Sequence, residues 1–145
     1  MAILRERPYG NFNFHVEIAG TEVAFEEVVL PEAWLAVIEY RNGNEKENGV
    51  RKIPGREHYG NLVLRRGAIG SLNLYQWWND VRNGNTNAFR TVTVQLQSED
   101  HTAVVMTWKL LRAWRVRFKF SALDGKGDQP LLEVLELAFE RLEME

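Results

Sequence analysis

The chain has 145 residues, 45% of them apolar, with a formal net charge of −2 and no cysteine. That length suits one domain able to bury roughly 68–70% of its unfolded surface, and the apolar share excludes a disordered chain. Near-neutral charge supplies no field for nucleic acid or an anionic membrane, and without cysteine there is no disulfide framework, thiolate metal site or thiol catalysis.

Met1-Ala2-Ile3-Leu4-Arg5-Glu6-Arg7 lacks the long apolar core of a signal peptide. No run approaches the ~18 apolar residues of a membrane span. Synthesis in the cytosol, with no membrane insertion of the monomer, is therefore expected. Phe12, Phe14, Val16 and Ile18 alternate with Asn13, His15 and Glu17, as in a half-buried strand. Gly20-Thr21 predicts a turn into a strand over residues 22–28, and Pro31 interrupts. Residues 34–40 resume, with Trp34, Ala36, Ile38 and Tyr40 on one face. Leu35 and Val37 make the other face apolar too, so both faces are expected to be covered. Arg41-Asn42-Gly43-Asn44-Glu45-Lys46-Glu47-Asn48-Gly49 is a long polar loop. Arg51-Lys52-Ile53-Pro54-Gly55 reads as a basic hinge and a turn, and a strand over residues 59–66 ends at Gly67 and Gly70.

The next segment is helical. Leu74, Trp77, Trp78 and Val81 fall at i, i+3, i+4 and i+7, Ser71 is placed to cap the N-terminus, and Asn83-Gly84 stops the helix. Trp77 and Trp78 cannot both face the core of an isolated domain, so one is expected in the core and the other at an interface. Strands return at Val92, Val94 and Leu96, then at residues 103–111 beyond the turn Ser98-Glu99-Asp100-His101. Further on, Trp114, Val116, Phe118 and Phe120 alternate with Arg115, Arg117 and Lys119. Asp124-Gly125-Lys126-Gly127-Asp128 is a polar loop. In the last segment Leu131, Val134, Leu135, Ala138 and Leu142 fit a helix, while Leu135, Leu137 and Phe139 fit a strand; periodicity slightly favours the helix.

No reaction chemistry assembles from these pieces. His15, His58 and His101 lie on separate elements without a paired ligand spacing. Ser71 and Ser98 lack a glycine elbow. Gly67-Ala68-Ile69-Gly70 lacks the lysine and full glycine spacing of a phosphate loop. Nothing pairs Glu26, Glu27, Glu39 or Asp80 for acid–base work, and solvation is the simpler reading. The basic residues Arg115, Arg117 and Lys119 are better read as pairing across strands with Glu133, Glu136 or Glu140, or as solvated, than as phosphate ligands. No enzyme, cofactor, metal or specific nucleic-acid binding is expected.

Arg7-Pro8-Tyr9-Gly10-Asn11-Phe12-Asn13-Phe14, Val37-Ile38-Glu39-Tyr40-Arg41-Asn42-Gly43, Arg51-Lys52-Ile53-Pro54-Gly55 and Tyr59-Gly60-Asn61-Leu62-Val63-Leu64-Arg65-Arg66-Gly67 follow one another in order. Tyr75-Gln76-Trp77-Trp78, Arg112-Ala113-Trp114 and Glu133-Val134-Leu135-Glu136-Leu137-Ala138-Phe139-Glu140 complete the series. Together, in this order and spacing, they resemble the tail tube proteins of contractile phages and phage-derived injection machines over nearly the whole chain. Departures are Arg115, where that family often has proline, and Phe139 and Arg141, where histidine and glycine are frequent. The stretch 29–36 is less typical.

The resemblance implies a β-barrel-like domain of two packed antiparallel sheets with one flanking helix, and a strand rather than a helix in the last segment. It implies six-membered rings stacking into a hollow tube, with the sheath, baseplate or hub proteins and a DNA or protein cargo as partners. It places Asn42, Asn44, Glu45, Lys46, Glu47, Asn48 and Arg51 at ring stacking. It turns Asn73, Gln76, Asn79, Asp80 and Arg82 towards the sheath. Two rival readings stand beside the main tube subunit: a tube-initiator paralogue at the baseplate, and a small ligand-binding β-barrel module.

Overall fold

The computed structural model describes residue 2, residues 7–44, residue 46 and residues 49–145. In chain order the strands are β1 (Phe14–Ile18), β2 (Thr21–Glu22), β3 (Glu27–Val29), β4 (Ala33–Tyr40), β5 (Arg51–Tyr59) and β6 (Leu62–Gly67). Helix α1 (Asn73–Arg82) and a 3₁₀ turn follow, then β7 (Arg90–Gln97), β8 (Val104–Phe120), β9 (Leu132–Ala138) and β10 (Arg141–Met144). All strand pairings are antiparallel, in the order β2-β1-β7-β8-β9-β6-β3, with β10 also on β8 and with β4 and β5 paired only to each other. Among the described residues no helix is long and apolar enough to cross a membrane.

The 17-residue β8 is shared by two sheets. Its first part pairs with β7 and its last part with β9. Extra residues bulge out of it near Arg112, whose φ is +53°, and near Val116. Bulges bend a strand and sharpen its twist, which lets one strand turn from one sheet into the other. The two halves close on a single core. Val16, Ile18, Val92, Val94 and Leu110 come from one sheet, Leu62, Leu64, Leu135 and Leu137 from the other. Period-two alternation delivers these residues inward, as the sequence led one to expect.

The last segment is extended, not helical: β9 and β10 run in line along the same edge of β8, broken at Phe139 and Glu140. The strand expected over residues 22–28 reduces to β2 and the start of β3, with Phe25 turned into the core between them. Ala19 and Gly20 make the β1–β2 turn, both with positive φ, as two-residue hairpin loops require. Pro54-Gly55 is not a turn. It lies inside β5, where β5 carries one more residue than β4 between the Leu35 and Val37 pairings. A Cβ on Gly55 would meet the Ala36 carbonyl oxygen at 3.0 Å, so glycine suits this bulge.

Ser71 does not cap α1. The N-cap is Leu72, with no side-chain cap bond, and Ser71 Oγ instead donates to Asn73 Oδ1 at 2.8 Å. The C-terminus ends as expected, with Gly84 at φ +81° and its N–H on the Val81 carbonyl. In the β7–β8 turn, Asp100 Oδ1 accepts from Ser98 Oγ (2.5 Å), Thr102 Oγ1 (2.7 Å) and Thr102 N (3.1 Å). These donors, Ser98 foremost, pull the Asp100 carboxyl down to about 2. A depressed folded-state value stabilises the turn above the ordinary carboxylate range and loses that support as pH falls through about 2. The side-chain NMR titration of Asp100 is expected to show this low midpoint, and Ser98→Ala to raise it.

Candidate functional site

Among the described residues the β4–β5 hairpin gathers more exposed large apolar side chains than any other element. Trp34, Leu35, Val37, Ile38 and Ile53 are all between 44% and 62% exposed, so neither face is covered within one chain. Strand parity and the cross-strand pairs put Trp34, Ile38, Tyr40, Arg51 and Ile53 on one face, with the Trp34 and His58 rings stacked at 5.7 Å. Leu35, Val37, Glu39, Lys52, Pro54 and Glu57 share the other. Asn42, Asn44 and Lys46 are exposed at the hairpin's end, and Arg51 belongs to β5 rather than to the loop. Glu45, Glu47 and Asn48 lie outside the described residues. Contiguous exposed apolar area rimmed by polar groups marks an interaction surface.

Helix α1 buries Leu74 and Trp77, and Trp77 has no exposed surface at all. Its indole Nε1 donates to the Ala88 carbonyl at 2.6 Å, and the Arg90 guanidinium lies 4.9 Å over its ring. Of the two tryptophans expected as interface aromatics, Trp77 is thus the core residue. Trp78 is half-buried in an aromatic group with Tyr75 and Phe118, and Arg82 stacks on it at 4.5 Å. Asn73, Gln76, Asp80 and Arg82 are exposed on the polar side, while Asn79 is half-buried and accepts from Arg82 Nε at 2.7 Å. The hairpin residues and the helix residues thus form two separate surfaces.

A buried charge cluster joins β6, β8 and β9. Arg66 Nε meets Glu133 Oε2 at 3.1 Å, and Arg115 Nη2 meets Glu133 Oε1 at 3.3 Å. Arg115 also donates from Nε to the Arg117 carbonyl at 3.2 Å and lies 4.5 Å over the Phe118 ring. Burial pushes the Arg115 guanidinium below its ordinary value, Glu133 opposes this, and the neighbouring Arg66 adds to it. Cross-strand pairing of this basic strand was expected, and Arg117 does pair with Glu136 at 3.1 Å. Solvation fails for Arg115, because the bulge at Val116 turns Arg115 inward beside Leu137 while Arg117 stays outward. Glu140 pairs with Arg112. Among the described residues, no cluster of three or more His, Cys, Asp or Glu is arranged to hold a metal.

The family model for the T4-like virus tail tube protein gp19 matches residues 10–143. The chain belongs to this tail tube family. No curated protein matches the sequence significantly. A chain of the anti-feeding prophage baseplate, solved by cryo-electron microscopy, is 24% identical, with 97% of each chain covered and a TM-score of 0.82. A chain of the sheath–tube complex of the extracellular contractile injection system PVC, in its extended state, is 23% identical. That match covers 97% of the tail tube protein and 93% of the other chain at a TM-score of 0.85. Hcp1 from Flavobacterium johnsoniae is 19% identical over 92% and 94% of the two chains, with a TM-score of 0.59. These likenesses establish the fold, β sheets with one helix.

Two features of the tail tube protein escaped the sequence reading. Arg66 was read only as part of a strand, although Leu62, Leu64 and Arg66 share one parity, as do Glu133, Leu135 and Leu137; that alternation already points both charged residues inward. The uncovered state of the hairpin carries no local signal, because a strand apolar on both faces reads alike whether its cover comes from its own chain or another.

Proposed function

We propose that this tail tube protein is the main inner-tube subunit of a contractile tail or injection machine. Copies close into six-membered rings, and rings stack into a hollow passage for a DNA or protein cargo. The observation that carries the reading is the β4–β5 hairpin with both faces apolar and uncovered. A lone soluble chain has no use for such a surface, whereas a neighbouring copy buries it. The likeness to chains of baseplate and sheath–tube assemblies supports the same reading.

In this reading the hairpin end, with Asn42, Asn44, Glu45, Lys46, Glu47, Asn48 and Arg51, reaches the adjacent ring. The polar side of α1, with Asn73, Gln76, Asn79, Asp80 and Arg82, faces the sheath together with Trp78. The work is mechanical, with no catalytic step and no cofactor. The chain is made in the cytosol and ends as part of a phage tail or released particle.

Negative-stain electron microscopy with light scattering tests this directly. Rings or tubes of uniform diameter are the expected result. A strict monomer at every concentration, with the baseplate hub of its own particle added, overturns it in favour of a ligand-binding module. Tubes confined to the baseplate end identify the initiator paralogue instead. Replacing residues 42–48 with a short Gly-Ser turn is expected to leave folding intact and to yield single rings. Tubes of normal length from that variant refute the loop's part in stacking.

A further inference from the structure

A hollow of about 480 Å³ opens between the N-terminal segment and strands β1, β3, β7 and β8. Its floor is apolar, with Phe12, Phe14, Val28, Leu30, Leu96 and Trp108, and among the described residues its charged lining consists of the carboxylates of Glu26 and Glu27. Glu27 is engaged by Arg65 at 2.8 Å, while Glu26 makes no ion pair among the described residues. The hollow therefore presents grease with a negative edge.

One face of the hairpin is its complement. Trp34, Ile38, Tyr40 and Ile53 are apolar and exposed there, and the charged residues of that face are basic. Arg51 pairs opposite Tyr40, and the bulge puts Arg56 on the same side as Gly55 and His58. Arg56 has no salt-bridge partner among the described residues. The opposite face carries Glu39 and Glu57 beside Lys52, so it matches the acidic rim less well. A chain cannot fill its own hollow in this way, because Leu30 of the lining stands three residues before β4 and so places the hollow at the root of its own hairpin.

We infer that the Trp34–Ile38–Ile53 face of one copy's hairpin seats in the Phe12–Leu30–Trp108 hollow of the next copy, with Arg56 set against Glu26. This rests on the tube reading and adds to it the receiving surface and the face received. The contact joins two different patches, hairpin to hairpin root, so it is head-to-tail and repeats from copy to copy without using up its own ends. Charge matching fixes which face enters, since the reversed hairpin would bring Glu39 and Glu57 against Glu26 and Glu27.

The absence of cysteine makes the test clean. Chains carrying Ile38→Cys and chains carrying Phe12→Cys are mixed, assembled and treated with a short bis-maleimide. The expected product is an Ile38–Phe12 cross-linked pair that appears only in the mixture and only in assembled material. In parallel, Arg56→Glu and Glu26→Lys are each expected to raise the concentration needed for assembly by about tenfold or more, and the double reversal to restore it. Tubes that form normally but give no such cross-link, and that ignore both charge reversals, overturn the inference and leave the tube reading standing. If the wild-type chain forms no ring or tube, with its baseplate hub present, the tube reading falls and the inference falls with it.

Discussion

Glu133→Ala is expected to cost about 3–5 kcal/mol of folding stability, the range found when one partner of a buried ion pair is removed. Glu133 sits between two guanidinium groups whose side chains are 7% and 0% exposed, and it is the acid that both contact. Arg66 Nη2 and Arg115 Nη1 are already buried without a hydrogen-bond partner among the described residues, so the cluster has no spare acceptor there to compensate. Thermal unfolding of the unassembled protein is the measurement, with a fall of about 10 °C expected for a chain of this size. A triple replacement by apolar residues of matching volume (Arg66, Glu133 and Arg115 together) is expected to recover most of the loss, because it removes the charges as well as their partner. A loss under 1 kcal/mol in the single variant would show that water reaches the cluster.

Trp77→Ala carries the second large effect, again about 3–5 kcal/mol. The side chain is wholly buried between α1 and the sheet, and removing it leaves both a large cavity and an unsatisfied Ala88 carbonyl. Denaturant unfolding at constant m-value reads it. Trp78→Ala is the informative control. Trp78 is half-buried against Tyr75 and Phe118, so its loss is expected to cost well under the Trp77 loss and, on the function proposed above, to weaken binding of the sheath. Equal destabilisation by the two variants would mean that the helix has no separable outer face.

The residues that pack were legible in the chain. The Leu74, Trp77, Trp78 and Val81 stripe identifies α1, and simple alternation identifies the inward residues of β1, β6, β7 and β9. What failed to read were the places where an extra residue breaks the alternation. Pro54-Gly55 carries the composition of a turn, and only the pairing with β4 converts it to a bulge. Arg115 and Arg117 share a parity in sequence and face opposite ways in space because Val116 intervenes. The last segment has apolar residues at both periods, and its strand state comes from the free edge of β8 that it fills, a tertiary cause invisible to local periodicity. The described polar residues at the hairpin end and on the outer side of α1 read as exposed and, half-buried Asn79 apart, are so. The hollow at the hairpin root draws its walls from residues 9 to 108, and no local pattern reports such a convergence.

The shared strand bears on what a tube must survive. β8 is spliced into both sheets, so a push delivered to either one is passed along a continuous backbone to the other rather than across a seam of side chains. No half of the domain can peel away without breaking the ladder that holds the other half. A subunit built this way takes load as one stiff stave and not as two hinged halves.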